Sequence, residues 1–410
     1  MGRTDEQLTT TLSNGLRICC RRVDSATEFC GLTVNAGSRD ELTPDVYGLA
    51  HFVEHTIFKG TSRRSDSYIL NRMEAVGGEL NAFTTKEETT VYAAMPAGNN
   101  PRACSLIGEL ASESVFPPRK LDLEREVICD EIDSYLDSPA DAVYDLFDEM
   151  AYDGNPLAHN ILGTKDSVAA IDSETCRSYL GRAFTAANSA YFYLGPEKPG
   201  RVIADAEKAF AALPCDGMIT RRTTPAVCPP EVRELNADRH QCHTVMGVPV
   251  GGLHSPERHI VALATNILGG PGMNALLNVE LRERRGLVYT VEASTVLMSD
   301  CGMMTIYFGC DHSDLNRCRR LVENTLSRLA DKPMTERRLN ACKRQYLGQL
   351  TLGLDNKEQL ALNCGRSLLH GLSQPSLAAT AERIRSITPA QLRDAAELLA
   401  KAPLRTLTLM

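Results

Sequence analysis

Apolar and polar positions along the first third of the chain change period repeatedly, and each change predicts a change of element. Leu16 to Arg22 and Phe29 to Asn35 are rich in β-forming residues and flank the polar Asp24-Ser25 region, which predicts two strands. Ala36-Gly37-Ser38-Arg39-Asp40-Glu41 has the composition of a loop. From Val46 to Phe58 the apolar positions recur at helical spacing, and Ser67 to Val76 reads as a second helix ended by Gly77-Gly78. Leu80 to Thr84 and Thr89 to Met95 predict two more strands. A long helix starting near Leu121 follows, with Glu124, Ile128, Glu131 and Tyr135 on one face.

Between Leu213 and Glu234 the pattern lapses. Pro225, Pro229 and Pro230 sit among Thr and charged residues without sustained periodicity, which predicts a linker over 219–234 between domains 1–218 and 235–410. The second half then repeats the first in outline. It runs as a strand Cys242 to Val250, a helix Glu257 to Leu268, a helix Asn274 to Arg285, and strands Leu287 to Ser294 and Gly302 to Cys310. The recurring order implies an ancient duplication. Strands grouped before long helices predict an α+β fold of two similar domains rather than a doubly wound α/β sheet.

Composition narrows the function classes. A chain of 410 residues with 43% hydrophobic content can build two cores. The formal net charge of -8 argues against a nucleic-acid partner, whose phosphates need a basic surface; short pairs such as Arg221-Arg222 read as solvated surface. The 14 cysteines include no CxxC pair, and the polar start Met-Gly-Arg-Thr-Asp-Glu has no apolar signal segment. No stretch approaches the roughly 18 apolar residues of a membrane helix. These features predict reduced, mostly buried cysteines, a cytoplasmic location and no membrane.

The chemistry concentrates in His51-Phe52-Val53-Glu54-His55. On a helix, His51 and His55 lie one turn apart on the same face, so both imidazoles can reach one ion. Glu54 shares that face and can stand over a bound water as general base. This is HxxEH, the inverted order of HExxH. The flanks Gly48-Leu49-Ala50 and Ile57-Phe58 are small or apolar, so the histidines lie in a buried stretch, where ionisable groups are costly unless paired or ligating. On the long helix Glu124 and Glu131 are two turns apart within an apolar stripe. Such a pair invites a cation, with Glu131 as third ligand and Glu124 orienting the site.

On these residues the chain resembles the M16 metallopeptidases, the pitrilysin and mitochondrial-processing-peptidase family. Gly48 to His55 continues into Phe58-Lys59-Gly60-Thr61 as the family does, and Glu124 and Glu131 match its paired acids. The resemblance implies one Zn2+ per chain on His51, His55 and Glu131. It also implies that Leu80-Asn81-Ala82-Phe83-Thr84 is an edge strand pairing with substrate backbone, which makes Asn81 and Ala82 substrate-binding candidates. In the second half Arg282 and Tyr289 match the family's R-x6-Y element, which grips substrate near the scissile bond. The implied fold is the LuxS/mitochondrial-processing-peptidase type, two antiparallel-rich sheets packed with helices. The implied activity is endopeptidase hydrolysis of unfolded peptides inside a clamshell. Because this chain carries both halves of the machinery, a homodimer would suffice, although a heterodimer is compatible.

Two rival readings come from other classes. Non-catalytic partner subunits of such heterodimers typically lose the zinc residues, whereas all four remain here. A peptide-binding scaffold with structural zinc would show four protein ligands, often Cys, and three are visible. The second half reads His259-Ile260-Val261-Ala262-Leu263 where a second metal motif would fall. His240 and His243 read as structural residues on opposite faces of a strand, and Gly269-Gly270-Pro271-Gly272 is no phosphate loop, since no GK[ST] follows.

Overall fold

The computed structural model describes residues 6–217, 222–237, 239–374 and 376–410. The polar start of the chain before residue 6 and Arg221 lie outside them. Two compact units are built. The first takes Met1–Asp133, His159–Arg222 and Leu354–Pro375, and the second takes Ser134–Ala158, Thr223–Gly353 and Ser376–Met410.

The first unit holds six strands, β1 (Glu6–Thr11), β2 (Arg17–Arg22), β3 (Thr27–Val34), β4 (Glu79–Thr84), β5 (Thr89–Pro96) and β6 (Ser189–Gly195). Their order across the sheet is β1-β2-β6-β3-β5-β4, with only β2 and β6 parallel. The second unit holds β7 (Glu231–Leu235), β8 (Cys242–Val250), β9 (Val288–Leu297), β10 (Gly302–Cys310) and β11 (Arg405–Leu409), ordered β7-β11-β8-β10-β9. Only β7 and β11 are parallel there.

Without β1, the two sheets superimpose as topologies. β2, β3, β4, β5 and β6 correspond in chain order, place and direction to β7, β8, β9, β10 and β11. The duplicated outline read from the sequence is therefore a duplicated sheet, and the fold is α+β with antiparallel-rich sheets. In each unit the third of these strands, β4 or β9, ends the sheet and leaves one rim without a strand partner among the described residues.

The helices used below are α1 (Leu49–Thr56), α2 (Asp66–Glu74), α3 (Asn100–Glu113), α4 (Pro118–Asp137) and α5 (Pro139–Ala151). In the first unit α1 and α3 cover one face of the sheet. The central strand β6 is buried at every residue because it is covered on both faces. Successive side chains alternate. Tyr191 and Tyr193 join the main core with Leu32, Phe52 and Ile107, while Phe192 and Leu194 face Ala361 on the helix Lys357–Leu369.

That second cover shows why the units are not contiguous halves. The chain crosses between units at Arg222–Thr223, inside the stretch read as a linker, whose far end forms β7. Yet the first unit takes the helix Lys357–Leu369 from late in the chain, and the second takes α5 from early in it. In the second unit Val143, Phe147 and Met150 of α5 pack with Val245, Met303 and Leu407. Each sheet has a second apolar face, and burying a side chain such as Phe147 is worth about 1.5–3 kcal/mol, so neither face can stay open to water.

Two local expectations change. The stretch Asn274 to Arg285, read as an α-helix, contains a π-helical segment Asn278–Glu283, whose wider turn shows in the hydrogen bond from Arg284 N to Val279 O at 3.1 Å. His240 precedes β8 instead of lying on it, and His243 bonds the Tyr307 hydroxyl at 2.9 Å. All 14 cysteines are free thiols and most are buried. No helix among the described residues is long and apolar enough to cross a membrane.

Candidate metal centre

The helix α1 starts abruptly because Gly48 adopts φ 87°, a left-handed conformation, at a place where a Cβ would collide with the backbone of Leu162 and Gly163. Leu49, Ala50, Phe52 and Val53 are buried on the core side. The opposite face therefore presents His51, Glu54 and His55 together. His51 is buried, and Glu54 and His55 are partly so. The two imidazole centroids are 4.5 Å apart and inclined at 63°.

On α4, Leu121, Ile128 and Ile132 are buried and anchor the helix. Tyr135, read as part of that stripe, is exposed, so the stripe ends one turn earlier. Glu131 leaves the same side and brings Oε2 to 3.7 Å from His51 Nε2 and 3.5 Å from His55 Nε2. Four ligands around zinc at bonds of about 2.0–2.1 Å stand roughly 3.3–3.4 Å apart. Both distances from Glu131 to the imidazoles are thus within a few tenths of an ångström of that spacing. Burial, with the neighbouring His55, pushes His51 down to about 3, so its imidazole is neutral and its lone pair is available. The residues fit a divalent cation.

A second carboxylate competes for the third corner, since donor atoms of His51, Glu54 and His55 also lie within 4.8 Å of one another. Glu54 Oε2 is 4.0 Å from His51 Nε2, farther than Glu131, and Thr84 at the end of β4 donates its hydroxyl to that same oxygen at 3.5 Å. Burial, then the charge of Glu131, raise the proton affinity of Glu54 against the opposing His55 and Thr84. A carboxylate that holds protons more readily than usual is suited to proton transfer.

Behind His55, its Nδ1 is 3.4 Å from Glu124 Oε2, and the other oxygen of Glu124 is 2.5 Å from Lys59 Nζ. The carboxylate thus bridges an imidazole and an ammonium. Lys59 has no assigned part in the sequence reading beyond its place in the Phe58-Lys59-Gly60-Thr61 run. Its spacing of four residues after His55 was the available signal. Asp133 turns away to Lys165, 2.6 Å off.

Asn81 and Ala82 lie on the terminal strand β4, opposite Tyr92 and Val91 of β5, with their other rim free of a strand partner among the described residues. α1 packs on β4, so that open rim runs beside the face carrying Glu54. In the second unit the Arg282 guanidinium lies 5.7 Å from the centre of the Tyr289 ring, a cation–π distance. Tyr289 is 83% exposed at the start of the terminal strand β9, and both residues line one depression with Gly269-Gly270-Pro271-Gly272. His259, at the place corresponding to the metal motif, is held by Arg383 at 3.1 Å.

A duplicated α+β chain with an HxxEH helix and a carboxylate from a second helix has the pattern of the inverted-motif metallopeptidases. The chain belongs to peptidase family M16: residues 22–165 match the insulinase family model, and residues 170–346 match the model described as the peptidase M16 inactive domain. It is 32% identical to an uncharacterized zinc protease of Streptomyces coelicolor, over 96% of this chain and 87% of that protein. It is 30% identical to the uncharacterized zinc protease YmxG of Bacillus subtilis, over 88% of each. Two solved structures share the fold at a TM-score of 0.91 and 18% identity. One, from Pseudomonas fluorescens, is described as a peptidase M16 inactive domain and matches over 98% of this chain and 97% of its own. The other is a protease from Helicobacter pylori, matched over 99% and 100%.

Proposed function

We propose that the chain is a zinc endopeptidase acting on unfolded peptides, with one Zn2+ held by His51, His55 and Glu131 and with Glu54 as general base. The observation that carries this is the approach of Glu131 Oε2 to His51 Nε2 at 3.7 Å and to His55 Nε2 at 3.5 Å, with a fourth group, Glu54, tied to the end of an open edge strand. When bound, the zinc ion would polarise the scissile carbonyl and acidify the attacking water. The rim of β4 at Asn81 and Ala82 holds the peptide main chain as an added strand, which favours extended and therefore unfolded substrates. Glu54 Oε2 takes the proton of the attacking water and delivers it to the leaving amide nitrogen. Glu124, backed by Lys59, orients His55.

Arg282 and Tyr289 grip the substrate carbonyl side as hydrogen-bond donors. The working form is a cytoplasmic homodimer enclosing its peptide, in keeping with a half-length chain that carries both the metal motif and the Arg-Tyr element. One alternative has a specific observation behind it. The second half matches an inactive domain and has no HxxEH, as a non-catalytic partner would. The first half nevertheless keeps His51, Glu54, His55 and Glu131, with the carboxylate of Glu131 beside both imidazoles, which favours the catalytic reading.

The test combines metal analysis with cleavage of unstructured peptides of graded length, wild type against Glu54→Gln. About one zinc per chain, cleavage by wild type, and a variant that keeps zinc without cutting support the proposal. Wild type that binds zinc here and cuts no length class is a binding or partner subunit.

A further inference from the structure

We propose that Glu41 and His159 are positioning residues of the metal centre, fixing the start of α1 and thereby the stance of His51 and His55; this rests on the zinc-peptidase reading above. The helix α1 has eight residues, and its N-cap, Gly48, has no side chain with which to cap it. The first N–H groups of any helix lack partners within it. Here they are met from outside: Gly48 N donates to Glu41 Oε2 at 2.8 Å and Ala50 N to Glu41 Oε1 at 2.7 Å. Glu41 is 3% exposed, and a carboxylate so buried is costly unless it is fully used. It is used by two peptide N–H groups at the positive end of the helix dipole, one of them on the residue before His51.

The second half of the clamp comes from 118 residues away. His159 Nε2 lies 3.1 Å from Glu41 Oε2, and its ring stacks on Tyr47 at 3.8 Å with the planes 5° apart. The His159 carbonyl accepts from Lys86 Nζ at 2.6 Å, two residues beyond the last residue of β4. The network therefore ties the start of the ligand-bearing helix to the end of the strand whose Thr84 holds Glu54. There is no slack around it: a Cβ at Gly163 would fall 2.2 Å from Tyr47 O, and one at Gly48 2.5 Å from Leu162 O. An ordinary cap only stabilises its helix. This one sets the height of a two-turn helix that supplies two ligands, where about 0.5 Å separates a working site from a loose one.

The experiment uses the full chain in metal-free form, as wild type, Glu41→Gln, His159→Leu and His159→Gln. Zn2+ affinity is read by chelator competition, ligand geometry by the visible spectrum of the Co2+-loaded protein, stability by apo Tm, and kcat and KM on an unstructured peptide. Glu41→Gln and His159→Leu are expected to weaken Zn2+ binding by about 10- to 100-fold, shift the Co2+ bands and lower kcat with KM little changed. His159→Gln, which keeps a donor toward Glu41, is expected to recover much of this. Folded variants whose Tm falls while Zn2+ affinity and the Co2+ spectrum stay at wild-type values would reduce the pair to a structural cap and overturn the proposal. If Glu41→Gln fails to fold, the two His159 variants decide it alone. Wild type that binds Zn2+ but cleaves nothing sinks the peptidase reading only, because the metal affinities still decide this one.

Discussion

Glu124 stands with Oε2 3.4 Å from His55 Nδ1, on the side of the imidazole away from Glu131, while Lys59 neutralises its other oxygen at 2.5 Å. A carboxylate there makes Nδ1 the protonated nitrogen and leaves Nε2 free to ligate. Removing it frees the ring to rotate. Glu124→Ala is expected to weaken zinc binding by about 10- to 100-fold, measured by chelator competition. Lys59→Met acts through Glu124 and is expected to move affinity the same way by less. Wild-type affinity in Glu124→Ala would show that His55 is oriented by its helix alone.

Glu54 is expected to separate metal binding from turnover. Glu54→Gln keeps the volume and the acceptor for Thr84 but cannot take a proton. Loss of a positioned general base costs about 10²- to 10⁴-fold in kcat. Burial disfavours the charged form of Glu54 in the folded chain, so the charge costs stability at neutral pH. The metal-free variant is therefore expected to melt at or above the wild-type temperature. A variant that loses both zinc and stability would place Glu54 among the ligands.

How much of this was legible beforehand depends on the separation of the groups involved. His51, Glu54 and His55 are within five residues, so helical periodicity alone puts them on one face. Strands such as Cys242–Val250 and Gly302–Cys310 announce themselves by local composition. Glu41, Thr84 and His159 could not be found this way, because each acts on a group 30 or more residues away or through a backbone N–H that no side-chain pattern marks. The exchange of α5 and the helix Lys357–Leu369 was equally hidden. An apolar helix face shows that it needs a sheet, not which sheet. The π-helical segment at Asn278–Glu283 inserts a residue into a helical pattern, and the pattern reads through it.

Acid sensitivity is expected to trace in part to Glu88. Burial raises its pKa, but a hydrogen bond from His370 at 2.8 Å and the charge of Arg366, whose Nε is 2.9 Å away, outweigh burial and hold it below the ordinary value of 4.5. A folded pKa below the unfolded one adds stability above the unfolded value and loses it as pH falls through the folded value. Both partners sit on or just after the helix Lys357–Leu369, so acid loosens the cover of β6. Melting of wild type and Glu88→Gln across pH 3 to 7 is the measurement. The wild-type advantage is expected to be full above pH ~5 and to shrink below ~4.5. An advantage constant down to pH 3 would mean that the ion pair contributes nothing to folding.

The docking of that same helix makes a sharper prediction at Gly365. Replacing a mid-helix glycine by alanine ordinarily stabilises a protein by about 0.8–1 kcal/mol, because glycine loses more backbone freedom on folding. At Gly365 a Cβ would meet Phe192 Cδ1 at 2.5 Å and Thr33 Oγ1 at 2.9 Å, where nothing can yield cheaply because Phe192 is fully buried beneath the helix. Overpacking of this kind costs about 1–3 kcal/mol, which outweighs the propensity gain. Gly365→Ala is therefore expected to destabilise the first unit by up to about 2 kcal/mol net. Gly181, in the helix Ser173–Ala183 of the same unit, has no atom within 4 Å of its would-be Cβ and serves as the control. Gly181→Ala is expected to stabilise by up to about 1 kcal/mol. Denaturant melts of the two variants should move in opposite directions. If Gly365→Ala also stabilises, the helix Lys357–Leu369 rides more loosely on β6 than its contact with Phe192 requires, and the exchanged cover is not what closes that face of the sheet.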